Sequence, residues 1–181
     1  MTMNVAMLTP LFPPDTSDSA QYAKLLAATL SDLPLTVFAY GKLPEAVGVV
    51  PIVSIDKSGF KLLTILRCLR ALRHSRPTTL LLHNGPSTDL PALIYKLAQP
   101  ALQLVYIESD TKAIARVARP LQEFINRQIK RRAIVVITLP DDATAYIAAE
   151  ILPFATIPPE TKTAHSDWWQ VHVTQLKSYV R

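Results

Sequence analysis

From Asn4 onward, short and almost wholly apolar runs alternate with stretches of helical period, and this alternation limits the chain to very few architectures. NVAML (Asn4–Leu8), LTVFAY (Leu35–Tyr40), TTLLLHN (Thr78–Asn84), LQLVYIE (Leu102–Glu108) and AIVVITL (Ala133–Leu139) read as strands buried on both faces. VVPIVSI (Val49–Ile55) is a shorter strand, pushed to an edge or a terminus by Pro51, which cannot donate to a ladder. FATI (Phe154–Ile157) reads as a last short strand. Between them lie the helical stretches Ser19–Leu33, Phe60–His74, Leu90–Ala98, Ala113–Arg132 (kinked or split at Pro120) and Asp141–Leu152, which Asp141 can cap. In the first, Tyr22, Leu25, Leu26, Thr29 and Leu30 share one face. In Phe60–His74 the apolar face is Leu62, Ile65, Leu66, Leu69 and Leu72, with Arg67, Arg70 and His74 opposite. The expected fold class is α/β: a single Rossmann-like domain, its mostly parallel sheet covered by helices on both faces.

A chain of 181 residues, 49% of them hydrophobic, has the length of one domain and the means to fill its core. The single cysteine, Cys68, excludes an internal disulfide and reads as a small core hydrophobe. MTMNVAMLTPLF has no basic stretch ahead of an apolar run, and no apolar run approaches ~18 residues. The expected place is therefore the cytoplasm. The net charge of +5 is unevenly spread. Lys57, Lys61, Arg67, Arg70, Arg73 and Arg76 occur without an acid between them, and Lys112–Arg132 carries seven cations against Glu123. Two basic helices suit an anionic partner surface, and the moment of Phe60–His74 suits anionic lipid, with Lys61, Arg67, Arg70 and Arg73 facing the membrane. A solvated surface helix is the plainer alternative. Nucleic acid is not expected as a partner, because the aromatic residues are not interleaved with the basic ones.

In parallel sheets ligands gather beyond the carboxyl ends of the strands, which here means TPLFPPDTSDSAQ, HNGPST, ESDTK and LPDDA. The first loop lacks the glycines of a dinucleotide or P-loop site. It offers Thr16, Ser17 and Ser19 at a helix start, for an anion or simply for capping. His83 directly follows an apolar strand, with Asn84 beside it, and there a histidine serves as donor, general base or phosphate contact, or merely bonds to neighbouring backbone. Glu108 and Asp110 end another strand; they can hold a sugar hydroxyl, or cap the helix that follows. No histidine, cysteine or carboxylate spacing suggests a metal site, and no cofactor is expected.

MNVAMLTPLFPPDTSDSAQYAKLLAATLSDLPLTVFAYG resembles the opening of family 4-type glycosyltransferases of the GT-B fold, where a first strand ends in a P-x-F-P-P loop. TTLLLHNGPSTDLPALIYKL resembles the unit that carries that family's histidine near the cleft, and AIVVITLPDDATAYI and ATIPPE resemble the last strands of its acceptor-side domain. The resemblance implies residues 1–160 as half of a GT-B fold, with His83 as the catalytic group and Asn84, Glu108 and Asp110 binding the acceptor. Two features depart from the pattern: the first loop has no glycine, and no pair of glutamates seven apart follows Ile157. SDWWQVHVTQLKSYVR resembles the family's terminal helix, which packs back on the first domain. In it Ser166 or Asp167 caps and Trp169, Val173, Leu176 and Val180 share a face, so residues 161–181 read as a polar bridge plus this returning helix.

The resulting expectation is an acceptor-side subunit of a split glycosyltransferase. It would meet a donor-binding partner protein or form a homodimer, and would reach nucleotide sugar only through that partner. It would sit at the inner face of the membrane, near a lipid-linked acceptor. The rival is a non-catalytic binding or scaffold protein derived from such an enzyme.

Overall fold

The computed structural model describes residues 4–108, 120–138 and 159–180, with the side chains of Asp18 and of residues 159–168 left aside. The expected helix Asp141–Leu152, the strand Phe154–Ile157, the first part of Ala113–Arg132 and Asp110 lie outside the described residues. Six strands form one sheet: β1 (Val5–Thr9), β2 (Leu35–Tyr40), β3 (Ile52–Ile55), β4 (Thr79–His83), β5 (Gln103–Glu108) and β6 (Val135–Thr138). Their order is β3-β2-β1-β4-β5-β6, and each neighbouring pair runs parallel. This is the doubly wound order, in which the chain reverses its direction of growth between the first and fourth strands. Pro51 stops β3 from starting earlier, and β3 is an edge strand.

The helices are α1 (Asp18–Thr29), α2 (Lys61–Ser75), α3 (Asp89–Ala98), α4 (Pro120–Lys130) and α5 (Pro159–Val180). Strand residues alternate between two cores, as the pleat requires. Val5, Met7, Val37, Ala39, Leu81, Val105 and Ile107 meet α1 and α5, including Tyr22, Leu26, Trp169, Val173, Leu176 and Val180. Ala6, Leu8, Phe38, Tyr40, Leu80, Leu82, Leu104 and Tyr106 meet α2, α3 and α4 through Cys68, Leu72, Ala92, Tyr95, Ile125 and Ile129.

Three expectations change. The helix expected from Ser166 or Asp167 spans Pro159–Val180, so residues 161–167 are helical and a boundary at 160/161 falls inside α5. Proline suits a helix's first turn. α1 is shorter than expected: it ends at Thr29, and Pro34 then leads the chain into β2. In α2 the buried line is Thr64, Cys68 and Leu72, whereas Leu62 and Leu66 are 67% and 53% exposed. The leucine stripe is wider than the surface that α3 and the sheet offer it.

Candidate functional site

The crevice position of this fold lies where β1 and β4 run side by side, at their carboxyl ends. Thr9 closes β1 and His83 closes β4, both fully buried. Thr9 Oγ1 donates its single proton to the Leu11 carbonyl at 2.7 Å and lies 3.2 Å from His83 Nδ1. With that proton committed, Thr9 Oγ1 accepts from His83, so the imidazole carries its hydrogen on Nδ1 and Nε2 is the basic nitrogen. Burial holds the His83 pKa down at about 4, so at neutral pH the ring is uncharged. The loops after the two strands are pressed together. A Cβ on residue 85 would stand 2.8 Å from Pro10 Cγ and 2.9 Å from Pro10 Cβ, which is why glycine follows Asn84.

His83 faces α1. The Tyr22 ring meets it edge-on at 5.4 Å, and the Tyr22 hydroxyl lies 2.9 Å from His172 Nε2 on α5. Trp169 packs against both Tyr22 and His172, at centroid distances of 6.1 and 5.7 Å. Burial pushes the Tyr22 pKa up and draws that of His172 down to about 4, so a neutral phenol and a neutral imidazole share this hydrogen bond. The sequence places Trp169 on the packing face of the terminal helix and assigns His172 no role. Its signal was its position three residues after Trp169, on the same helical face.

Glu108 points the other way. Leu104 and Tyr106, four and two residues before it, belong to the core on the opposite face from His83. Lys130 Nζ of α4 holds both Glu108 carboxylate oxygens, at 2.8 and 2.9 Å. Beside it Asp89, fully buried at the start of α3, accepts from the Gly85 backbone N–H at 3.2 Å and from Gln122 Nε2 at 2.8 Å. Burial raises the Asp89 pKa to about 7, and the charge on Glu108 adds to the rise. The Tyr106 hydroxyl, also fully buried, has no hydrogen-bond partner among the described residues. His83 and Glu108, both expected in one acceptor cleft, therefore extend from opposite faces of the sheet. Asn84 continues β4 with its N–H on the Ile107 carbonyl at 2.9 Å and is nearly buried. Sequence reasoning missed Asp89, which reads as an ordinary first-turn acid.

At the start of α1, Ser17 Oγ accepts from the Ala20 N–H at 3.4 Å, and the Asp15 carboxylate accepts from the Ser17 N–H at 2.8 Å. The place considered for an anion at Thr16, Ser17 and Ser19 thus holds a carboxylate of the chain itself. On α2, Lys61, Arg70 and Arg73 are exposed, while Arg67 Nη1 is tied to the Asp56 and Ser58 carbonyls at 3.1 and 2.9 Å and to the Asp56 carboxylate at 3.5 Å. No group of three potential metal ligands occurs among the described residues, and none of their helices is long and apolar enough to cross a membrane.

No protein-family model and no curated protein matches the sequence. Solved structures do match the fold. A provisionally assigned UDP-N-acetylglucosamine 2-epimerase from Listeria monocytogenes superposes with a TM-score of 0.55 at 16% identity, over 87% of this chain and 44% of that one. The UDP-N-acetylglucosamine 2-epimerase from Rickettsia bellii gives 0.52 at 15% identity, over 84% and 43%. That of Methanocaldococcus jannaschii, a UDP-GlcNAc 2-epimerase, gives 0.51 at 11%, over 82% and 41%. The chain spans less than half the length of these structures, and at such identities the likeness is one of fold. The domain is a Rossmann-like α/β unit that resembles half of a GT-B-like two-domain fold.

Proposed function

We propose that this domain is the acceptor-side half of a glycosyltransferase-like enzyme of the family 4 type, completed by a donor-binding unit on a partner chain. The observation that carries the reading is His83: a neutral imidazole at the β1/β4 switch point of half a GT-B-like fold, its Nδ1 fixed by Thr9 and its Nε2 the basic atom. At a sugar acceptor that nitrogen would polarise a hydroxyl, with Asn84 adjoining. Glu108 would act from the other face with Lys130 as its counter-ion, and Asp110, two residues later in the sequence, is the remaining acceptor-side candidate. An anion would reach Thr16, Ser17 and Ser19 only by displacing Asp15. Half a cleft cannot grip a transition state well, so nucleotide sugar belongs to the partner. The exposed Lys61, Arg70 and Arg73 favour a membrane-near acceptor.

The test is native mass spectrometry of the protein drawn from its host, followed by sugar transfer with the reconstituted pair. A stoichiometric nucleotide-sugar-binding partner, with transfer abolished in His83→Ala while the fold persists, is the expected result. Full transfer by that variant removes His83 from the chemistry.

One observation favours a second reading, a binding protein derived from such an enzyme: His83 has no exposed surface. A bare monomer or a homodimer in the mass spectrum, inert towards nucleotide sugars, selects that reading.

A further inference from the structure

A cavity of about 320 Å³ opens between the start of α2 and the start of α3, on the side of the sheet away from His83. Its wall is mostly apolar, with Ile65, Leu90, Pro91 and the buried Thr64 among the lining, and its charged residues are Lys57 and Lys61. Among the described residues no acid and no aromatic ring lines it, so that lining does not favour a cation and offers a nucleoside base nothing to stack on. The Lys57 ammonium is held at the mouth by two contacts, 5.6 Å over the Tyr40 ring and 3.3 Å from the Pro10 carbonyl. Flanking the lining residue Lys61 in sequence, Phe60 is 87% exposed and Leu62 67%, large apolar side chains left in water at the start of a helix whose other exposed residues include Arg70 and Arg73. Asp56, the acid nearest in sequence, is occupied by Arg67 and Ser58.

We propose that this cavity binds a single amphiphile with a phosphate head and a hydrocarbon tail: the tail against Ile65, Leu90 and Pro91, the phosphate on Lys57 and Lys61. The inference rests on the membrane-near placement proposed above and names what α2 would meet there, a phosphate-bearing lipid. Phe60 and Leu62 stand where such a lipid would leave its bilayer, with the arginines of α2 facing the anionic headgroups around it. Charge and shape together select this occupant: an apolar chamber with cations at its mouth and no acid fits a tail carrying an anion.

The test is calorimetric titration of the full chain with dodecyl phosphate, kept below the concentration at which it forms micelles. The expected result is saturable binding of one molecule per chain, with inorganic phosphate and dodecanol each binding at least tenfold more weakly. Ile65→Trp, which fills the cavity, and Lys61→Glu, which reverses its charge, should each weaken binding at least tenfold. Leu90→Trp serves the same purpose should Ile65→Trp fail to fold, and Arg70→Ala with Arg73→Ala should leave binding unchanged. Undiminished binding in a folded cavity-filling variant, inorganic phosphate binding as tightly, or loss only in the arginine variant would each overturn the proposal. The titration involves no sugar transfer, so its failure leaves the acceptor-half reading intact, and a failed search for a donor partner leaves the cavity measurement intact.

Discussion

Two tyrosines, both fully buried, stand on opposite faces of the sheet, and their hydroxyls have opposite fates. That of Tyr22 meets His172 on α5 and is flanked by Trp169, while that of Tyr106 lies in a neighbourhood of carboxylates without a partner among the described residues. The first face is closed by aromatic packing and neutral hydrogen bonds, which are dry, specific and hard to rearrange. The second is held by buried ionisable groups, Asp89 and Glu108, with Lys130 and Gln122 as their partners. The contrast teaches that the returning helix α5 gives the α1 face its stability, whereas the α3/α4 face stores its polar groups at a cost and loses stability as pH rises.

The sharpest way to break the comparison is Trp169→Ala. Truncating a buried aromatic typically costs about 3–5 kcal/mol, and here it would loosen α5 from Tyr22; urea denaturation measures it. Gly85→Ala comes next. Its methyl would collide with Pro10 where β1 and β4 adjoin, an overpacking expected to cost about 1–3 kcal/mol in the same assay.

A pH series separates the faces further. His83 and His172 are held at about 4 against an ordinary 6.5, so between those values the unfolded chain binds protons that the folded one refuses. Their contribution is therefore present above pH 6.5 and is lost as pH falls towards 4. Asp89 has the opposite sign: raised from 3.8 to about 7, it keeps a proton that the unfolded chain releases, and its contribution is lost as pH rises through that window. Asp89→Asn should flatten the loss on the neutral side by about 1–2 kcal/mol and leave the acid limb in place. An unchanged neutral limb would show that Asp89 is ionised in the folded protein.

The two tyrosines give the smallest effects and the cleanest contrast. Tyr22→Phe should cost about 1 kcal/mol, because it removes the hydrogen bond to His172. Tyr106→Phe should change stability by no more than about 0.5 kcal/mol, or raise it, because no hydrogen bond is lost. Equal losses in both would mean that the two faces are satisfied alike.

Some of this was legible in the residues. β2 runs over Leu35–Tyr40 as its apolar run predicts, and Pro51 marks β3 as an edge strand, because strand formation and proline's missing donor are local matters. The apolar face of α5 was legible too, since Trp169, Val173, Leu176 and Val180 recur at helical spacing. Its start was not legible, because a polar run such as residues 161–167 suits a helix and a linker equally.

The candidate site was legible only as a set of residues at strand ends. That His83 and Glu108 leave opposite faces depends on the parity at which each strand stops in the shared register, which only pairing with neighbours fixes. The rotation of α2 is likewise a tertiary matter: period identifies an apolar stripe, and contact with α3 and the sheet decides that Cys68 is buried while Leu66 stays wet. The sequence by itself determined the alternating strands and helices, hence a parallel α/β sheet, because backbone periodicity is encoded residue by residue. Tertiary structure decided which groups meet: burial set the protonation of His83, Asp89 and His172, and packing gave Tyr22 a partner and Tyr106 none. Such contacts join residues as much as 150 positions apart, and no local pattern carries them.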